Sequence, residues 1–241
     1  EEEMRIRFKP WAREELEQAL FYIDNPQEYK NKWKNVFKND NKIYLELGCG
    51  KGNFIAKLSK INEKNNINFI AIDLVDSMLG ISKRNIELEY GIRTSIDKEE
   101  IENIKEKQKI INNVILTRYD ISRISEIFGN KDNIQRIYIN FCNPWPRGKH
   151  HKKRLTHERQ LMQYKEFLNK GGEIFFKTDD DYLFEDSIKY FERSGFNIEK
   201  KTYDLKKEEK FWNGEENIKT EHEKMFEKEE IKIKALIAKN A

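Results

Sequence analysis

Only two cysteines stand among the 241 residues, and no apolar run approaches the roughly 20 residues that a membrane-crossing helix requires. The first scarcity excludes a disulfide-stapled scaffold and points to a reducing cytoplasm. The second leaves no candidate for a spanning helix. No cationic-then-apolar leader opens the chain. Glu1-Glu2-Glu3 ahead of Met4 reads as an added leader, with Met4 the expected natural start. No Cys/His spacing suits zinc, so no metal is expected. No internal repeat is visible. Cys49 and Cys142 fall at predicted strand ends near one another, where small loop-packing thiols are favoured over an oxidation-sensitive pair.

What the chain does have is charge. Charged residues are 37% of the total and mean hydropathy is −0.90, so the surface is heavily solvated. The length still permits one α/β domain with a core of useful size. Net charge is only +3, but the total hides a local imbalance: from Arg147 to Arg159 there are six Lys/Arg against the single acid Glu158. Elsewhere charges alternate, as in Lys98–Lys109 and Lys206–Lys210, the pattern of solvated helix faces.

Apolar positions at Leu16, Ala19, Leu20 and Ile23, then Trp33, Val36 and Phe37, predict an N-terminal arm and helix over residues 1–38. Residues 39–241 follow as one domain. Strands are predicted at Ile43–Leu47, Ile67–Ile72, Val114–Leu116, Ile134–Phe141 and Gly172–Thr178. A pair over Asn197–Tyr203 and Ile231–Ala238 completes seven. Helices are predicted after Gly52, over Ser77–Glu89 with Gly91 as C-cap, over Leu155–Leu168 capped by Thr156 or a neighbour, and over Tyr182–Arg193 closed by Gly195. Thr94–Ile111 reads as a charged excursion and Thr220–Glu223 as part of a charged connection. The alternation predicts a doubly wound, mostly parallel α/β sheet with an antiparallel edge.

Ligands of such sheets sit at the carboxyl ends of the strands, where strand order reverses. Glu46, Asp73, Asp120 and Asn143 are all predicted there. The loop Gly48-Cys49-Gly50-Lys51-Gly52 lacks the third glycine of the dinucleotide fingerprint, because position 53 is Asn. A pyrophosphate beside Glu46 would be repelled, which argues against a nicotinamide-linked oxidoreductase. S-adenosylmethionine carries an ammonium and a sulfonium, so an acid there is favourable. Asp73 suits its ribose hydroxyls and Asp120 an amino group on the adenine edge.

The most specific stretch is Ile139-Asn140-Phe141-Cys142-Asn143-Pro144-Trp145-Pro146-Arg147, followed by Gly148 to Arg154. Each proline is expected to push the residue before it, Asn143 and Trp145, into extended geometry. The basic run projects charge beside that stiffened turn. Together with Arg5-x-Arg7-x-Lys9-Pro10-Trp11-Ala12, Glu46 to Gly52, Lys177-Thr178-Asp179 and Thr220-x-x-Glu223, these residues resemble the bacterial tRNA (guanine-N7)-methyltransferase family. The resemblance runs nearly end to end and implies a class I S-adenosylmethionine-dependent methyltransferase, Rossmann-like. It implies donor contacts at Glu46, Gly48, Gly50, Asp73, Asp120 and Asn143. It also implies RNA contacts at Arg147, Lys149, His150, His151, Lys152, Lys153, Arg154, Asp179, Thr220 and Glu223.

Two positions depart from the family: Asn143 stands where Asp is usual, and Asp73 where Glu is frequent. Guanine N7 carries a lone pair and no proton, so methyl transfer to it needs alignment rather than a general base. Asn143 and Asp179 are therefore the candidate catalytic residues, Asn143 orienting, with Asp179 and Glu223 expected to accept from the guanine N1–H and amine. The expected partner is tRNA at its variable-loop guanosine, not DNA or a membrane, with the chain a monomer or homodimer. Methyl transfer to another RNA, a protein or a small molecule is the alternative, as is an RNA-binding protein that has lost catalysis.

Overall fold

The computed structural model describes residues 7–97 and 101–241; Glu1 to Met4, Arg5 and Lys98 lie outside the described residues. The chain opens with α1 (Trp11–Gln18), the short strand β1 (Tyr22–Ile23) and α2 (Trp33–Phe37). Then come β2 (Lys42–Leu47), α3 (Asn53–Ile61), β3 (Ile67–Asp73), α4 (Asp76–Glu89), α5 (Ile104–Gln108) and β4 (Val114–Arg118). The second half holds β5 (Ile134–Asn140), α6 (Glu158–Phe167), β6 (Leu168–Thr178), α7 (Asp181–Arg193), β7 (Phe196–Thr202), α8 (Glu221–Lys228) and β8 (Lys234–Asn240).

All strands join one sheet in the order β1-β4-β3-β2-β5-β6-β8-β7. Every pairing up to β5–β6 is parallel, while β8 runs antiparallel between β6 and β7. The sheet therefore has eight strands, not the seven expected. The extra one, β1, is two residues long and docks on β4, with Tyr22 opposite Leu116. Two residues carry no readable alternation, which is why the pattern missed it. The order reverses between β2 and β5, and that switch fixes where a ligand crevice can open.

Residues 11–37 are built into the same body. Leu16 and Trp33 are fully buried, and Trp33 donates its indole N–H to Ile127 O at 2.8 Å. A charged seam holds α1 to α4: Lys83 Nζ lies 3.1 Å from Glu15 and 2.7 Å from Glu87, and Arg84 pairs with Glu15. Burial makes partners obligatory for such charges, and these have them. The glycines Gly91 and Gly195 follow α4 and α7 in left-handed geometry, as read from the sequence. Helix α6 starts three residues later than expected, and its cap is His157, whose Nδ1 accepts from Arg159 N. Thr156 is instead buried against Ser187, with their hydroxyls 2.7 Å apart. Among its described residues the excursion over Thr94–Ile111 contains only the short α5, anchored where Gln108 accepts from Leu20 N and donates to Glu87.

Candidate active site

Strands β2 and β5 lie side by side at the reversal, so the turns that leave them share one edge of the sheet. After β2 the chain makes the loop from Gly48 to Gly52, with φ of +78° at Gly48 and +77° at Gly52. A side chain at Gly52 could not be housed: a Cβ there would lie 2.6 Å from the Cβ of Ser82. Helix α4 clamps the loop from that side. Ser82 Oγ donates to Gly50 O at 2.6 Å, and Asn85 Nδ2 donates to Lys51 O at 2.8 Å. On its outer surface Gly50 faces open space.

Glu46, two residues before the loop, is buried. One carboxyl oxygen accepts from Asn140 Nδ2 at 2.9 Å; the other, Oε1, is buried without a partner. Burial pushes this carboxyl up to about 8, with Asn140 and Lys177 working against the shift. Such an orphaned acceptor, two residues before an open glycine turn, fits a ligand that brings a cation or N–H donor. Asp73 accepts from Gly50 N at 2.9 Å and from the backbone of Leu74 and Val75. It ties the two loops together, and burial raises its pKa. A carboxylate has about four lone-pair positions, so one direction remains for a hydroxyl. Asp120 is exposed; one oxygen caps the 3-10 turn after β4 by accepting from Ser122 N.

Beyond β5 the backbone turns sharply. Phe141 has φ of +53° and Trp145 of +42°, so Trp145 is not extended but left-handed, a correction to the proline rule. The cause is local: Asn143 Oδ1 accepts from Trp145 N at 3.0 Å, closing an Asx turn. Trp145 is half-buried, with Lys153 Nζ 4.7 Å from its ring centroid and His150 edge-on at 5.7 Å. Arg147, Lys149, Lys152 and Lys153 are exposed, and His150 and His151 are half-buried.

Arg154 does not belong to that rim. Its side chain is 2% exposed; Nε donates to Pro144 O at 2.7 Å, and Nη1 reaches Asp186 at 2.7 Å and Tyr190 Oη at 3.2 Å. It is a strut between the proline turn and α7, buried away from the exposed face of the basic run.

The tail comes to the same edge through α8. Thr220 caps this helix, its hydroxyl accepting from Glu223 N at 3.0 Å. Lys51 of the glycine loop pairs with Glu221 at 3.2 Å, and His222 stacks on Phe141 with centroids 6.2 Å apart. Glu223 is not offered to a base. It is buried, with Oε2 2.6 Å from Lys177 Nζ and Oε1 accepting from Asn217 Nδ2 at 2.7 Å. Asp179 is half-buried just past β6; Lys234 Nζ donates to its backbone carbonyl at 2.8 Å, and burial raises its carboxyl.

Residues missed from the sequence are Asn140, Lys177 and Asn217, with Ser82 and Asn85 behind the loop. The signal for the first two lay in strand alternation. Glu46, Asn140 and Lys177 share one sheet face, since Asn140 pairs in register with Lys177. A small cavity of about 20 Å³, room for one water, opens on that face among Asn140, Lys177, Glu215 and Asn217. The two thiols are unpaired; burial pushes Cys142 up to about 12 and raises Cys49 as well.

The family model described as "Putative methyltransferase" matches residues 40–236. A tRNA (guanine-N(7)-)-methyltransferase of Clostridium botulinum (strain Alaska E43 / Type E3) is 54% identical over 235 residues, covering 98% of each chain. Its namesake in Acetivibrio thermocellus is 48% identical, covering 98% of this chain and 99% of its own. Among solved structures, the 16S rRNA methyltransferase KamB aligns with a TM-score of 0.56 at 11% identity, over 87% of this chain and 93% of that one. The aminoglycoside resistance methyltransferase NpmB1 aligns with a TM-score of 0.53 at 13% identity, over 89% and 93%. At such identities the two structures speak for the fold alone.

Proposed function

The chain belongs to the tRNA (guanine-N7-)-methyltransferase family, and from that premise we propose that it methylates N7 of a guanine in tRNA. The observation that carries the reading is the orphaned oxygen of Glu46, on the strand that runs into the glycine loop at the reversal of strand order. It is an acid built to receive a cation at the switch point of the sheet. S-adenosylmethionine, when bound there, supplies a methyl group activated by its sulfonium.

The residues present fit that donor. Glu46 would accept from its ammonium, Gly50 would leave the turn open to it, Asp73 keeps one lone-pair direction that would suit a ribose hydroxyl, and Asp120 keeps a second oxygen that would suit an adenine amine. The turn Asn143–Trp145 then holds the incoming base over the same edge. Asp179, half-buried and without a side-chain partner among the described residues, is the acid that faces the base once Glu223 is set aside. A target base leaves its stack to enter such a pocket. Arg147, Lys149, Lys152 and Lys153, with His150 and His151, hold the flanking phosphates, while Trp145 forms a wall. Thr220, as the cap of α8, places that helix across the mouth. No general base is required, because the attacking nitrogen has no proton to lose. The chemistry the protein supplies is alignment and a negative environment for the cationic product.

The variable-loop guanosine is the expected target. Incubating the protein with labelled S-adenosylmethionine and unmodified tRNA transcript, then digesting and mapping the product nucleoside, tests the reading. 7-Methylguanosine in the variable loop is the expected product. Label in any other nucleoside, or only in protein, would overturn it.

A further inference from the structure

We propose that the connection between β7 and β8, through Glu223, Asn217 and Ile218, holds Lys177 off Glu46 and so keeps that carboxyl vacant for the ammonium of the methyl donor. The inference deepens the function proposed above and rests on its placing of the donor at Glu46. It makes Lys177 and Glu223 positioning residues.

Lys177 is the internal rival for Glu46. The two share one sheet face, two strands apart, with roughly 10 Å between their backbones. Asn140 stands between them: it faces Lys177 in register and donates to one oxygen of Glu46 at 2.9 Å. Each charge is felt at the other residue. Burial pushes the Lys177 ammonium down, with Glu223 and then Glu46 working against the shift. A buried cation and a buried carboxyl so placed gain by closing on each other. They have not closed, for Glu46 Oε1 is without a partner.

The reason is a count of hydrogen bonds. An ammonium has three N–H donors. Those of Lys177 go to Glu223 Oε2 at 2.6 Å, Ile218 O at 3.0 Å and Asn217 Oδ1 at 3.2 Å, all between β7 and β8. The cradle is braced from behind, since Asn217 Nδ2 donates to Glu223 Oε1 at 2.7 Å and Thr220 holds the Glu223 backbone. Beside Lys177 the cavity of about 20 Å³ reaches Asn140. Without the Glu223 carboxylate the ammonium has an unpaired charge and room to turn toward Glu46. The donor would then have to displace an internal cation.

The test is calorimetric titration of the full-length protein with two ligands: S-adenosylmethionine, and 5′-methylthioadenosine, which has the adenosine and the sulfur but no ammonium. Glu223→Gln keeps the side chain's shape and removes its charge. It should raise Kd for S-adenosylmethionine roughly tenfold or more and leave Kd for 5′-methylthioadenosine unchanged, because only the first ligand competes with Lys177. A crystal structure of the ligand-free variant should show Lys177 Nζ about 3 Å from Glu46 Oε1. Equal weakening of both ligands would mean that Glu223 only supports the fold. Unchanged affinity for both would mean that Lys177 does not compete, and either result overturns the inference. Should Glu223→Gln fail to fold, Asn217→Ala strips Lys177 of one acceptor and should give the same selective loss on a smaller scale; no selectivity there overturns it equally. Glu46→Gln separates the underlying reading: if it binds S-adenosylmethionine as tightly as wild type, or wild type binds none, the donor does not sit at Glu46.

Discussion

Lowering the pH should weaken the grip on S-adenosylmethionine through one residue, Glu46. Its carboxyl sits at about 8 instead of 4.5 because it is buried, and the groups facing it are Asn140, Lys177 and Asp73. A cationic ligand binds the ionised form. At pH 7, one unit below the raised value, only roughly a tenth of the sites are ionised, an apparent cost on the order of 1 kcal/mol that grows as the pH falls further. Donor Kd should therefore fall nearly tenfold from pH 6 to 7, flatten toward 8, and rise again as the ligand's own amine loses its proton. Binding at pH 7 and below should release close to one proton, since the ammonium restores the carboxylate. The sign for the free protein is opposite. A carboxyl whose folded value lies above its unfolded one stabilises the fold at low pH and loses that contribution between about 5 and 8. Calorimetric titrations in buffers of different ionisation enthalpy read both Kd and proton release. Glu46→Gln is the control, leaving only the ligand's own amine to titrate, and should bind weakly with no proton release. A flat Kd between pH 6 and 8 with wild type, or equal proton release from Glu46→Gln, would refute the reasoning.

Three further outcomes are expected. Gly52→Ala combines a left-handed backbone with a Cβ driven onto Ser82, so donor affinity should fall at least tenfold, about 1.4 kcal/mol, with a lowered melting temperature; wild-type binding would show that α4 does not fix the loop. Lys177→Met leaves Glu223 buried without its cation and should cost about 3–5 kcal/mol in denaturant unfolding, whereas Lys177→Met combined with Glu223→Leu should recover most of it. Equal losses in the single and double variants would mean that the pair is not the source. Lys149→Ala and Lys152→Ala should each reduce the slope of log affinity for tRNA against log salt by roughly 0.7–0.9, whereas Arg154→Ala should weaken binding without changing that slope. A slope change at Arg154 would mean that it meets phosphate after all.

The parallel core was legible because its strands are apolar on both faces and end in recognisable turns. Helices capped by Gly91 and Gly195 were equally plain. What escaped depended on pairing between distant strands. The alternate positions Arg136, Tyr138 and Asn140, then Glu173, Phe175 and Lys177, meet as one face, polar but for Phe175, only once β5 and β6 lie in register. Read singly, each strand looks like a core strand with an occasional solvent-facing residue. Helix α8 did leave a local trace, since Thr220-x-x-Glu223 has capping-box spacing and Thr220 does accept from Glu223 N. The Glu223 side chain turned to Lys177, a partner 46 positions away that no local pattern reveals. Arg154 was misplaced for the opposite reason. It stands in a basic run, and composition cannot separate the one member that folds inward from those that stay out.

Because β8 returns between β6 and β7, the whole stretch from Leu205 to Ile233 is a loop pinned at both feet, where Leu205 N donates to Ile233 O at 2.8 Å. Its top carries the helix that stacks on Phe141 and reaches the glycine turn. The stretch is keyed into the parallel strands through Glu215 on Arg136, Trp212 on Phe175 and Glu223 on Lys177, so only its exposed turns can be rewritten without touching them. A long connection thus serves as a third layer over one end of the sheet, and removing Glu215, Trp212 or Glu223 from it should loosen β5 and β6 although none of the three lies in a strand.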